Sequence, residues 1–89
     1  MTSTTLPTRE QVTDIARALL AAELKIGEAE IAGPSVLREL PGADSIHLLR
    51  VVSQLERQWD TEFDDDDIFS SRTLDELVDL VLSYLEKKD

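Results

Sequence analysis

Ser45 is the residue best placed to do chemistry. It stands in Gly42-Ala43-Asp44-Ser45-Ile46, where a glycine-containing loop runs into an apolar-periodic segment. Asp44 is a good helix N-cap, so Ser45 falls in the first turn of the helix that follows. Side chains there stand clear of preceding turns, and the hydroxyl reaches solvent. Unpaired first-turn N–H groups and the helix dipole favour an attached phosphate. Taken alone, Asp-Ser is also an ordinary polar helix start.

Other candidates carry less. His47 is the only histidine and lies off the apolar face, as a solvated surface residue would. It is no general base without an orienting partner, and the sequence identifies none. A serine hydrolase built on Ser45 therefore has no triad. The acidic run invites a calcium reading. Aligned as an EF-hand loop from Asp60, however, it has Asp65 where glycine is needed and Ser71 where the closing Glu belongs. A solvated charged loop is the simpler expectation. Cysteine is absent, which excludes disulfides and thiolate chemistry.

The elements that position Ser45 follow from periodicity. Residues 1–7 read as a polar tail and residues 8–89 as a single domain. Thr8 and Gln11 fit a capping box, and Val12, Ile15, Ala16, Leu19 and Leu20 recur at helical spacing. These predict a first helix from about Arg9 to Leu24. Residues 25–43 hold all three glycines and two of the three prolines. They form a long connection that Ile31, Val36, Leu37 and Leu40 could pin to the core, with a turn of helix around Ser35–Glu39.

In the second helix, Leu48, Val51, Val52, Leu55 and Trp59 make one apolar stripe. Ile46 and Leu49 fall on its flank beside Ser45, either as a contact patch for a partner or packed against the long loop. Ile68 and Phe69 fit one short helical turn. Thr73 and Glu76 form a second capping pair. Leu74, Leu77, Val78, Val81, Leu82 and Leu85 mark a last helix ending near Lys87 and Lys88, with Tyr84 paired to Leu80 on its edge. No strand pattern appears. The expected fold is all-α: three main helices and one short one, with a long loop between helices one and two.

Composition narrows the function. The chain has 89 residues, 9 Lys+Arg and 19 Asp+Glu, a formal charge of −10. Residues 44–89 carry −8 of it. Nucleic acid and anionic membranes are poor partners for such a surface, whereas basic patches on proteins are good ones. A domain this small has little room for a walled active site. No apolar run has transmembrane length and no signal-peptide pattern opens the chain, so a cytoplasmic monomer is expected.

Leu40-Pro41-Gly42-Ala43-Asp44-Ser45-Ile46 resembles the Leu-Gly-x-Asp-Ser-Leu motif of acyl and peptidyl carrier proteins. The likeness extends over residues 9–86: helix, long loop, Asp-Ser helix, acidic loop with a short helix, final helix. It implies a non-catalytic carrier with 4'-phosphopantetheine attached to Ser45 by a phosphopantetheinyl transferase that uses coenzyme A. Acyl or aminoacyl groups would ride on the arm as thioesters, exchanged with adenylating enzymes, acyltransferases or ketosynthases. Asp44 would cap the helix and help position the transferase or its metal. Ile46, His47, Leu49 and Arg50 would be read by partners.

Three departures from the motif qualify this. Pro41 is an extra residue before Gly42. Arg50 stands where fatty-acid carriers usually have an acid. Ser53 stands where many carriers expose an apolar contact. Arg50 to Leu55, and Ile68-Phe69 followed by Thr73-Leu74, look more like peptidyl carriers. Together these features point to a free-standing carrier of polyketide or nonribosomal-peptide biosynthesis. The alternative is an acidic helical adaptor without a prosthetic group.

Overall fold

The computed structural model describes residues 7–87. Most of the expected N-terminal tail, Lys88 and the side chain of Lys87 lie outside the described residues. Helix α1 runs Arg9–Leu24. The capping box forms as expected: Thr8 Oγ1 accepts from the Gln11 N–H at 3.1 Å, and Gln11 Oε1 accepts from the Thr8 N–H at 2.8 Å. Two otherwise orphaned donors are thereby satisfied. At the other end Lys25 adopts φ 59° and its N–H bonds back to the Ala21 carbonyl. Left-handed backbone at a non-glycine residue costs about 1 kcal/mol, offset by that closing bond.

Helix α2 is Ser45–Trp59, α3 is Asp65–Ser70 and α4 is Leu74–Lys87. Helix α1 packs against both α2 and α4. Val12, Leu20, Val51, Leu55, Val78 and Val81 are at the centre of the core and essentially solvent-free. The α2 stripe is shorter than its periodicity predicts. Val51, Val52 and Leu55 are buried, whereas Leu48 and Trp59 at its two ends are only half-buried and pack against the core edge. Periodicity reports which way a side chain faces, and the length of the neighbouring helices decides how far along α2 the core extends. Ile15 and Leu19 of α1 and Leu82 of α4 are also half-buried, on the edges of stripes whose neighbouring turns are fully buried.

The long connection is stapled to the start of α4. The Leu37 N–H bonds the Arg72 carbonyl at 2.8 Å, Leu74 N–H bonds Ser35 at 3.2 Å and Asp75 N–H bonds Gly33 at 2.9 Å. Ile31, Leu37 and Leu40 are buried. Val36 is half-buried and contributes a backbone bridge to Thr73 instead. Two 3₁₀ turns interrupt the segment, Glu28–Glu30 and Leu37–Glu39, the second inside the turn expected at Ser35–Glu39. Arg9 on α1 bonds Asp79 and reaches Asp75, tying both helices at their N-terminal ends.

At α4, Thr73 Oγ1 accepts from the Glu76 N–H at 3.2 Å, as a cap should. The return bond goes one residue further back: Glu76 accepts from Arg72 N–H at 2.7 Å. Tyr84 reaches from the edge of α4 to the acidic run. Its hydroxyl donates to Asp67 at 2.7 Å and accepts from the Asp64 N–H at 3.0 Å, while its ring meets Phe63 edge to face at 5.1 Å. The acidic run is therefore held by directed hydrogen bonds, with Asp64 also capping α3 through the Asp66 N–H at 2.8 Å. Among the described residues no helix is long and apolar enough to cross a membrane.

Candidate functional site

The extra proline resolves into a turn. The Ala43 N–H bonds the Leu40 carbonyl at 3.0 Å, and Gly42 has φ 78°. Proline at the first corner and positive φ at the second is the type II pattern, which requires glycine or asparagine at that second position. The turn ends at Asp44, whose extended backbone (φ −146°, ψ 178°) lets its carboxylate accept from the His47 N–H at 2.9 Å. Asp44 is the N-cap expected of it.

Ser45 is the first residue of α2 and is exposed. Among the described residues its hydroxyl has no protein hydrogen-bond partner, and as the first helical position it has no intrahelical acceptor for its N–H. Around it lie three exposed apolar side chains: Ile46 at 64%, Leu49 at 36% and Phe69 at 44% exposure. Ile46 and Leu49 are thus off the core, as the helical spacing predicts. Phe69 is the residue that periodicity missed. Its signal was the pair Ile68-Phe69 in a six-residue helix: Ile68 is buried, and its neighbour necessarily points away.

Ser45, Leu48, Leu49, Phe69, Ser71 and Arg38 share a cleft whose floor is Leu20, Leu37, Val51 and Leu77. Its interior space is about 30 Å³, room for no more than a water or two. The floor is closed apolar core, and the lip is where a tethered group would lie.

His47 has a partner that the sequence did not reveal. Its Nδ1 is 2.7 Å from Glu23 Oε2, and Arg50 Nη1 approaches the same oxygen at 3.4 Å. Glu23 sits in the last turn of α1, where a negative charge opposes the helix dipole. The side chain is only 14% exposed. The hydrogen bond with His47, and then the charge of Arg50, hold its carboxyl below the usual range despite that burial. His47 is half-buried rather than solvated, and both it and Arg50 lock α2 onto α1.

Comparison with known proteins agrees with this geometry. The family model described as "Phosphopantetheine attachment site" matches residues 14–81. An acyl carrier protein of Thermotoga maritima is 26% identical over 83 residues, covering 93% of this chain and 98% of the relative. One from Clostridium perfringens is 27% identical over 74 residues, covering 83% and 97%. A solved structure of the acyl carrier protein from Enterococcus faecalis, described for its high thermal stability, superposes with a TM-score of 0.72 at 26% identity, over 88% of this chain and 99% of that one.

The start of α2 fits a phosphate-linked arm: an exposed, unpartnered hydroxyl, an unbonded backbone N–H beside it, and an apolar lip alongside. The chain belongs to the phosphopantetheine-attachment family and is a non-catalytic carrier of the acyl carrier protein type, with 4'-phosphopantetheine as its covalent prosthetic group.

Proposed function

We propose that Ser45 is the attachment residue, and that the chain carries acyl or aminoacyl intermediates as thioesters in polyketide or nonribosomal-peptide biosynthesis. The observation that carries the first part is the exposed, unpartnered Ser45 hydroxyl at the start of α2. Attachment forms a phosphodiester bond at Ser45 Oγ, with loss of the hydroxyl proton and departure of the nucleotide part of coenzyme A. The arm supplies a thiol whose thioester activates the cargo for transfer by partner enzymes. The protein supplies no acid or base. Asp44 fixes the first turn, the helix N-terminus favours the phosphate, and Ile46, Leu49 and Phe69 offer an apolar rim.

Arg50 supports the natural-product assignment. With Arg57 against Glu56, it leaves α2 with a formal excess of one positive charge in a chain of net −10. The partners would be a transferase and an adenylating enzyme, acyltransferase or ketosynthase whose docking face tolerates that charge.

Incubation with coenzyme A and a broad-specificity transferase should add one phosphopantetheine by intact mass, and Ser45→Ala should gain none. Modification persisting in that variant would refute the assignment. The pathway is tested by comparing thioester loading by enzymes encoded beside the gene with loading by a fatty-acid acyltransferase. Preference for the latter overturns the natural-product reading.

A further inference from the structure

We propose that the groove leading from Ser45 past Phe69 to Arg38 and Arg72 holds cargo that ends in a carboxylate, so that the chain favours carboxyacyl over plain acyl groups. The inference rests on attachment at Ser45. Arg38 lines the Ser45 cleft and also an adjoining open pocket of about 230 Å³, whose walls include Val36, Glu39, Phe69 and Arg72. The order along this path is hydroxyl, apolar wall, then two guanidinium groups. A phosphopantetheine arm laid along that wall, with a carboxyacyl group on its thiol end, has the same order.

The two arginines are available. In a chain of net −10, Arg9, Arg17 and Arg50 each sit within 4 Å of a carboxylate. Arg38 and Arg72 have no such ion pair among the described residues, and both are exposed. Among the described residues, the only side-chain hydrogen bond of Arg38 is a long one, 3.5 Å from Nη2 to the Phe69 carbonyl. That contact leaves most of its five donors open while holding the group beside Phe69. A planar guanidinium matches a carboxylate in two parallel bonds. Glu39 on the same wall, and Glu76, which accepts from the Arg72 N–H, limit the local positive charge, which disfavours a highly charged ligand.

The phosphodiester of the arm offers the same anionic chemistry. Arg72, however, does not line the cleft that contains Ser45, which favours the far end of the cargo as the occupant.

The test uses the full chain, loaded by a transferase from coenzyme A, butyryl-coenzyme A or succinyl-coenzyme A. The two acyl groups have equal length and differ in the terminal carboxylate. Intact mass comes first: no mass gain refutes attachment at Ser45, and this inference falls with it. In loaded protein, the Arg38 and Arg72 side-chain N–H resonances should shift in the succinyl form only. Succinyl thioester hydrolysis should accelerate about threefold in Arg38→Gln/Arg72→Gln, as loss of an exposed ion pair implies, with the butyryl form unchanged. Equal arginine spectra in the butyryl and succinyl forms overturn the proposal while leaving Ser45 intact. Shifts already complete in the cargo-free form assign the arginines to the phosphate and overturn it equally.

Discussion

The imidazole of His47, on the first turn of α2, lies 2.7 Å from the carboxylate of Glu23 in the last turn of α1. Two residues after Ser45, the proposed attachment residue, α2 is therefore clamped to its neighbour. Ser45 is exposed, but the helix that presents it is fixed at that end by this bond and by the Asp44 cap. A partner can meet a pre-set orientation of the arm without ordering the helix first.

The clamp makes a pH prediction. The Glu23 carboxyl is held below its usual range by His47 and then Arg50. A group whose folded pKa is depressed contributes stability above its unfolded pKa, about 4.3, and loses it as pH falls through the lower folded value. Thermal melts of wild type and Glu23→Gln should differ near neutrality, and the difference should vanish in acid. A gap that persists unchanged to the most acidic pH at which the protein still folds would mean that Glu23 contributes shape and no charge.

Tyr84 acts at the opposite pH extreme. Its hydroxyl donates to Asp67, which raises its pKa above 10.0, the value for a free phenol. A raised pKa gives stability that is complete below the unfolded value and is lost as pH rises through the folded one. Tyr84→Phe keeps the ring contact with Phe63 but drops both hydrogen bonds. It should melt lower than wild type and exchange amide protons faster across Asp64–Ser70. The difference in melting temperature should narrow as pH rises above about 10 and the phenol ionises. A difference that stays constant across that range would show that the hydroxyl bond to Asp67 contributes nothing.

What was legible in the sequence was local. Thr8 and Gln11 marked the start of α1 because a capping box closes within four residues. The Asp44-Ser45 start of α2 was equally visible, and so was the flank position of Ile46 and Leu49. The Glu23–His47 bond spans 24 residues and Tyr84–Asp67 spans 17. Neither has a periodicity or a motif, so only the packed helices reveal them. Arg38 at the lip of the cleft escaped for the same reason: it lies in an irregular loop, where spacing assigns no face. Leu48 was assigned to the right side of α2 but not to the right depth.

Leu55 and Leu49 separate folding from recognition. Leu55 is fully buried, and Leu55→Ala should cost roughly 2–5 kcal/mol with a large fall in melting temperature. Leu49 is 36% exposed at the cleft beside Ser45. Leu49→Ala should barely move the melt while slowing partner-catalysed loading, since truncating a contact residue in an apolar patch can cost more than about 1 kcal/mol of binding. Phe69→Ala should behave like Leu49→Ala. Unfolding of the Leu49 variant as readily as the Leu55 variant would place that face in the core.

The turn before Ser45 gives the last prediction. Gly42 holds φ 78° in the type II turn closed by the Ala43 to Leu40 bond. A Cβ there would meet nothing closer than the Leu24 carbonyl at 4.0 Å, so the cost of Gly42→Ala is conformational rather than steric crowding. Left-handed backbone at alanine costs roughly 1–2 kcal/mol. Asparagine tolerates that region better, so Gly42→Asn should lose less. If the alanine variant relieves its strain by opening the turn, Asp44 leaves its capping position. The His47 N–H then loses its acceptor, and Ser45 is no longer held at a defined angle. Gly42→Ala should therefore lower both the melting temperature and the rate of phosphopantetheine transfer, with Gly42→Asn intermediate in both. Asp44→Ala, which removes the cap directly at a cost of about 1 kcal/mol, should reproduce the melting defect with the turn intact. Transfer at the wild-type rate in Gly42→Ala, despite a lowered melt, would show that the turn stabilises the fold without orienting the serine.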